Sequence, residues 1–354
     1  MIFLKMHKAA LSVLAGMACA IGLSSCDSFI YDDQGDCSVH YRVPFTFTQN
    51  ILNADAFKSQ VTGSVTLYVF DADGRLALTK TESGAALAQD DYKMDIELVP
   101  GVYNMVAWCT GTSPMSDPTA FTIGGAGRPG AMSDLSATLP LLQEGETYYQ
   151  DHDIVPLFYG RSENVVCQEK DFGYIDLPVI DLMKDTNVIN VILENLNGVE
   201  MKEGDFTVQV VADNSEMTSL NALTGDKRVQ YLAWDTTMLR TEPGEDDETR
   251  AEGDEEPVAT GQMTQHTTGR LMMDSPASLR VIRNTDGKVI ININLTQYLT
   301  MVKGNYQGYL TDQQYLDRMA EHTLTFFIAE GDWYMAGGVY INGWKIVPPQ
   351  NEDL

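Results

Sequence analysis

Apolar and polar residues alternate over short runs along most of this chain, with a period of two instead of 3.6. Val65-Thr66-Leu67-Tyr68-Val69-Phe70 is β-branched or aromatic except at Leu67, and places Val65, Leu67 and Val69 on one face. Asp71-Ala72-Asp73-Gly74 supplies a turn from which Arg75-Leu76-Ala77-Leu78 returns as the paired strand. Pro100-Gly101 precedes a further strand through Val102-Tyr103-Asn104-Met105-Val106-Ala107-Trp108. The later half repeats this order, with Phe206-Thr207-Val208-Gln209-Val210-Val211, the turn Asp213-Asn214-Ser215, and Val229-Gln230-Tyr231-Leu232-Ala233-Trp234. Two runs ending in Ala-Trp suggest tandem units. Further strands are expected at 323–328 and 338–344, and at 289–295, where Ile291, Ile293 and Leu295 oppose Asn292 and Asn294. Helical signal is confined to 54–60 and to 312–320, the latter with Thr311 as cap. Regularly spaced strands and many turns indicate an all-β chain of two tandem β-sandwich domains with short helical insertions. A polar stretch between Arg161 and Asp185 puts the boundary near 170, giving domains 26–170 and 171–354.

The first 25 residues stand apart as a signal peptide. Lys5 and Lys8 form a positive start, and the run 9–23 is small, apolar and too short for a stable span. It ends in Leu23-Ser24-Ser25-Cys26, which resembles a bacterial lipobox, so Cys26 is the expected lipidation site. Two or more acyl chains give lasting attachment, because each buried methylene contributes about 0.8 kcal/mol.

Of 354 residues, 23 are Lys or Arg and 50 are Asp or Glu, a formal charge of -27. Loss of Lys5 and Lys8 with the signal makes the mature chain more negative still. Such an excess of acid speaks against nucleic acid as a partner, since phosphate is held by clustered Lys and Arg. Nine acids lie in the segment 242–256, which has no hydrophobic period and reads as a surface loop. After signal removal and lipidation, Cys37, Cys109 and Cys167 remain. Cys37–Cys109 is the preferred bridge in an oxidising compartment, and three small buried hydrophobes are the competing reading.

Catalytic, metal and cofactor patterns do not emerge. His40, His152, His266 and His322 lack zinc-site spacing, and Asp151-His152-Asp153 lies in a polar stretch better read as a solvated loop. Gly124-Gly125-Ala126-Gly127 lacks the Lys-Ser/Thr that completes a phosphate loop. A non-enzymatic protein without cofactor or metal is expected.

Tyr31-Asp32-Asp33-Gln34-Gly35-Asp36-Cys37-Ser38-Val39, just after the lipid cysteine, resembles the start of the FimB family of fimbrial anchor lipoproteins. Further matching pieces follow in order: Ala54-Asp55-Ala56-Phe57, Leu67-Tyr68-Val69-Phe70-Asp71, Pro100-Gly101-Val102-Tyr103, and Ala107-Trp108-Cys109. Later come Lys184-Asp185-Thr186-Asn187, Gln314-Tyr315-Leu316-Asp317-Arg318 and Tyr340-Ile341-Asn342-Gly343-Trp344. The resemblance implies transthyretin-like sandwiches held at the outer membrane, at the base of a type V pilus whose length they limit. It also implies fimbrial shaft subunits as partners, joined by β-strand exchange or augmentation. A first strand at 39–47 that stays in place would leave no acceptor groove and would stop growth. A fimbrial tip adhesin or surface ligand-binding lipoprotein is the alternative reading.

Overall fold

The computed structural model describes residues 39–124, 130–169, 173–225, 227–240 and 259–347. In chain order the first strands are β1 (Val39–Gln49), β2 (Ser64–Phe70), β3 (Leu76–Ser83), β4 (Lys93–Ile96), β5 (Gly101–Thr110) and β6 (Thr122–Ile123). Next come β7 (Ser136–Thr138), β8 (Leu142–Glu144), β9 (Thr147–Gln150), β10 (Leu157–Cys167), β11 (Gly173–Asp176) and β12 (Ile180–Lys184). The second half holds β13 (Asn187–Asn195), β14 (Phe206–Ala212), β15 (Glu216–Thr218), β16 (Val229–Leu232), β17 (Asp235–Arg240) and β18 (Ala259–Thr268). It closes with β19 (Ser278–Arg283), β20 (Lys288–Asn294), β21 (Glu321–Ala329), β22 (Asp332–Trp333), β23 (Val339–Ile341) and β24 (Trp344–Ile346). Three short α-helices interrupt them: α1 (Phe57–Gln60), α2 (Leu295–Thr300) and α3 (Asp312–Arg318). The fold is all-β, as the alternation predicts.

The first sheet runs β11-β1-β12-β10-β5-β2-β3, with β4 also paired to β1. The predicted hairpin is β2 and β3: Asp71 Oδ1 accepts the Asp73 and Arg75 amides, and Gly74 takes the left-handed φ of 77° that closes the turn. Every residue of β2 is buried. Val65, Leu67 and Val69 enter one core cluster with Tyr41, Phe45 and Phe158, while Tyr68 and Phe70 enter another with Trp108 and Tyr159. This sheet therefore has apolar packing on both faces, which explains why β2 ends in the apolar run Leu67–Phe70 instead of a strict alternation.

Two further sheets, β17-β18-β13-β21-β23-β24 and β20-β19-β14-β16-β9-β8, share the larger cluster. Ile189, Val191 and Leu193 of β13 meet Val208 and Val210 of β14 there. The halves are interleaved. β8 and β9 pair onward to β16, and β6 and β7 join β15 in a small fourth sheet. β11 and β12, which follow residue 170, lie beside β1 in the first sheet.

At 289–295 the structure departs from the expected strand. A register shift opposite Val281 and Ile282 sets Ile290 inside together with Ile291 and Ile293. Leu295 then begins α2, because Asn294 caps it by accepting the Gln297 amide. Helix α3 has the expected Thr311 cap, reinforced by Gln314 in a capping box.

Candidate functional site: the seat of the first strand

Strand β1 alternates cleanly. Tyr41, Val43, Phe45 and Phe47 point into the core at 5% exposure or less, while His40, Arg42, Pro44 and Thr46 face outward. At ~1.5–3 kcal/mol for each buried large side chain, this row contributes on the order of 10 kcal/mol, as an upper estimate. That is comparable with the whole stability of an ordinary domain, so the strand does not leave its place unaided.

One edge of β1 runs parallel to β11 and β12, which together act as a single bulged strand. Its other edge meets β4 in antiparallel register from Tyr41↔Ile96 to Pro44↔Lys93. Side chains pin the seat at several levels. Tyr41 Oη donates to Gln168 O at 2.8 Å across the core. Arg42 Nε reaches Asp176 Oδ1 at 2.8 Å, and Lys93 Nζ reaches Asp176 Oδ2 at 2.7 Å, so one carboxylate ties β1 and β4 to β11. The Lys93 hydrogen bond, with Arg42 adding its charge, holds the Asp176 carboxyl below the usual carboxylate range. Asp181 of β12 accepts from Thr46 Oγ1 at 3.0 Å, the Thr48 amide at 2.8 Å and Thr48 Oγ1 at 2.7 Å. Gly160 lets β10 approach β12 closely; a Cβ there would sit 2.5 Å from Ile180 Cγ2.

A second polar cluster lies where the chain crosses from β12 to β13. Asp185 is fully buried, accepts from Asn221 Nδ2 at 2.9 Å, and lies 4.0 Å from Arg270 Nε. Arg270 donates to Asp317 Oδ1 through Nε at 3.0 Å and Nη2 at 2.9 Å. Burial pushes the Asp185 carboxyl up to about 7, against the opposing pull of Arg270. Two separate sequence pieces, Lys184-Asp185-Thr186-Asn187 and Gln314-Tyr315-Leu316-Asp317-Arg318, are thus brought together through Arg270, which the sequence did not single out.

The other residues marked in the sequence are dispersed. Cys26, Cys37 and the acidic segment 242–256 lie outside the described residues, as does most of the glycine-rich stretch after Gly124. Cys109 and Cys167 are buried free thiols; burial raises both, Cys167 to about 11. Cys109 sits opposite Phe158, which packs edge-to-face on Phe47, whereas Cys37 precedes the other end of β1. His266 and His322 are buried and lowered to about 4 by burial. His152 contacts Asp151 at 2.6 Å, and Asp153 instead accepts from Thr267. Among the described residues no group of three metal-ligating side chains converges. Asp176, Asp181 and Lys93 were missed by sequence reading. Asp181, set between the buried Ile180 and Leu182, was the available signal.

An all-β chain of several sheets with a deeply seated first strand is the class of protein that the structure defines, and known proteins carry the same architecture. The chain belongs to the family of fimbrillin-A associated anchor proteins Mfa1 and Mfa2, whose profile matches residues 34–348. A candidate adhesin of Bacteroides thetaiotaomicron superposes with a TM-score of 0.72 at 26% identity, over 89% of this chain and 99% of that one. A candidate polysaccharide-binding protein of the same organism gives 0.70 at 24% identity, over 88% and 99%. The fimbrial anchor protein Mfa2 of Porphyromonas gingivalis gives 0.65 at 17% identity, over 88% and 100%, and so shares the fold. No curated protein matches the sequence. The family is one of structural fimbrial anchor and adhesin-like proteins, not an enzyme class, and its place is the fimbrium at the cell surface.

Proposed function

We propose that this chain is the membrane-held base of a fimbria and the subunit at which fimbrial growth ends. Acyl chains on Cys26 would hold it in the outer membrane, with the signal peptide 1–25 removed. Shaft subunits would join it by strand exchange or augmentation, in which backbone hydrogen bonds give affinity and alternating side chains give register. The observation that carries the reading is the seat of β1. With four core side chains and carboxylate pins at Asp176 and Asp181, the first strand offers no vacant groove to an incoming donor. The chain divides in this reading into two sandwich units, and the pairing of β11 and β12 with β1 favours a division nearer Asp185 than residue 170.

Deleting the gene and imaging the cells tests the proposal. Shed or overlong fibres are the expected result; attached fibres of ordinary length would overturn it. The similarity to a candidate adhesin at 26% identity favours a second reading, a tip adhesin or ligand-binding surface lipoprotein. In that case the deleted strain keeps its fibres but loses adhesion.

A further inference from the structure

Strand β1 is not fully covered by other strands. Strand β4 stops at Pro44, and no described strand pairs with β1 on that side beyond it. The backbone of Phe47 nevertheless makes a full set of hydrogen bonds. Its amide donates to Asp55 Oδ1 at 2.9 Å, and its carbonyl accepts the Ala56 amide at 3.1 Å and Asn50 Nδ2 at 2.7 Å. The donor and acceptor from Asp55 and Ala56 copy what a neighbouring strand would present, except that a side-chain carboxylate replaces one carbonyl. The mimic is held firmly. Asp55 Oδ1 also accepts the Phe57 amide at 3.0 Å, and Asn50 Nδ2 also binds Ala54 O at 2.7 Å. Phe57 is buried and stacks on Phe45 and Tyr92, with centroids 6.1 and 5.6 Å away.

We infer that loop 50–56 is a built-in guard that closes the last free edge of the first strand to β-augmentation. An uncovered strand edge is a template for any extended polypeptide. Seated side chains keep β1 in the sheet, but they do nothing to stop another strand from adding alongside it. The guard performs that second task, and Asp55 is its central residue. The inference deepens the reading of the chain as a terminal subunit, and assigns a role to Ala54-Asp55-Ala56-Phe57.

The test uses the mature full chain and a fluorescent synthetic peptide copying residues 39–49 as the strand probe. Asp55→Ala should speed hydrogen exchange of the Phe47 amide at least 10-fold and bind the peptide at least 10-fold more tightly than wild type. Asp55→Asn, which keeps the acceptor oxygen, should match wild type in both. Asn50→Ala is the milder variant for use if Asp55→Ala folds poorly, and should move both readouts in the same direction. Faster exchange without tighter binding would overturn the guard, as would unchanged exchange. Neither result bears on fibre attachment in the deleted strain, so the guard and the anchor reading fail separately.

Discussion

At the scale of single residues, the buried titratable groups make the chain's response to acid and base predictable. Asp185 titrates near 7 when folded, against an ordinary 3.8, because burial penalises its charge. A carboxyl raised in this way contributes stability that is complete below its ordinary value and is lost as pH rises through about 7. At about 1.4 kcal/mol for each pH unit, the loss is a few kcal/mol. Asp185→Asn should therefore flatten the fall in thermal stability between about pH 4 and pH 8, followed by melting curves. The buried imidazoles work in the opposite direction. His266 and His322 are lowered from 6.5 to about 4, so their contribution is present above 6.5 and disappears as pH falls through 4. Cysteine chemistry is also decided by place. Val39, the described residue nearest Cys37, pairs with Gly173, while Phe47 packs on Phe158 beside Cys109. Eight residues of extended strand separate those levels by about 26 Å. Peptide mapping under non-reducing conditions should consequently find Cys109 as a free thiol, with alkylation only after unfolding; a Cys37–Cys109 peptide would contradict this.

At the scale of elements, β1 depends on partners far away in sequence. Asp181→Ala removes three hydrogen bonds to Thr46 and Thr48 and leaves the Thr48 amide without its acceptor. A loss of about 2–3 kcal/mol is expected, with faster exchange at Thr48 and little change in β19 or β20. If exchange rises equally throughout, Asp181 is not a local pin. Thr311→Ala, at the cap of α3, should cost about 1 kcal/mol by the same measurements. The hairpin of β2 and β3 and the Thr311 cap were legible in the sequence because both are written within a few residues. The inward row of β1 follows from its alternation. What local pattern cannot carry is the parallel pairing of β13 with β21, or the crossing of β9 to β16, whose partners are far apart in the chain. The apolar run of β2 contained the evidence that both its faces are covered, but a period of two directs attention to one face only. Leu295 shows the reverse error: its parity continues a strand, yet the Asn294 cap starts a helix.

At the scale of the whole molecule, the question is what fixes so acidic a chain to a cell. No helix among the described residues is long and apolar enough to cross a membrane. Attraction to anionic lipid is unavailable to a chain of charge -27. The proposed acylation of Cys26 would resolve this, since chains of many methylenes at about 0.8 kcal/mol each outweigh the repulsion of a charged surface screened within about 10 Å. In the proposed reading, fibre attachment depends on that one thiol. Cys26→Ala should fold normally, with unchanged melting behaviour, and should appear in the soluble fraction or the medium. If it engages its shaft partner as proposed, the released fibres should carry this chain at one end, detectable by immunogold labelling. A Cys26→Ala protein that stays in the membrane fraction would show that another segment holds it, and the acyl attachment would have to be abandoned. Soluble variant with fibres still attached would place the anchorage in a different subunit, leaving this chain the structural or adhesive role.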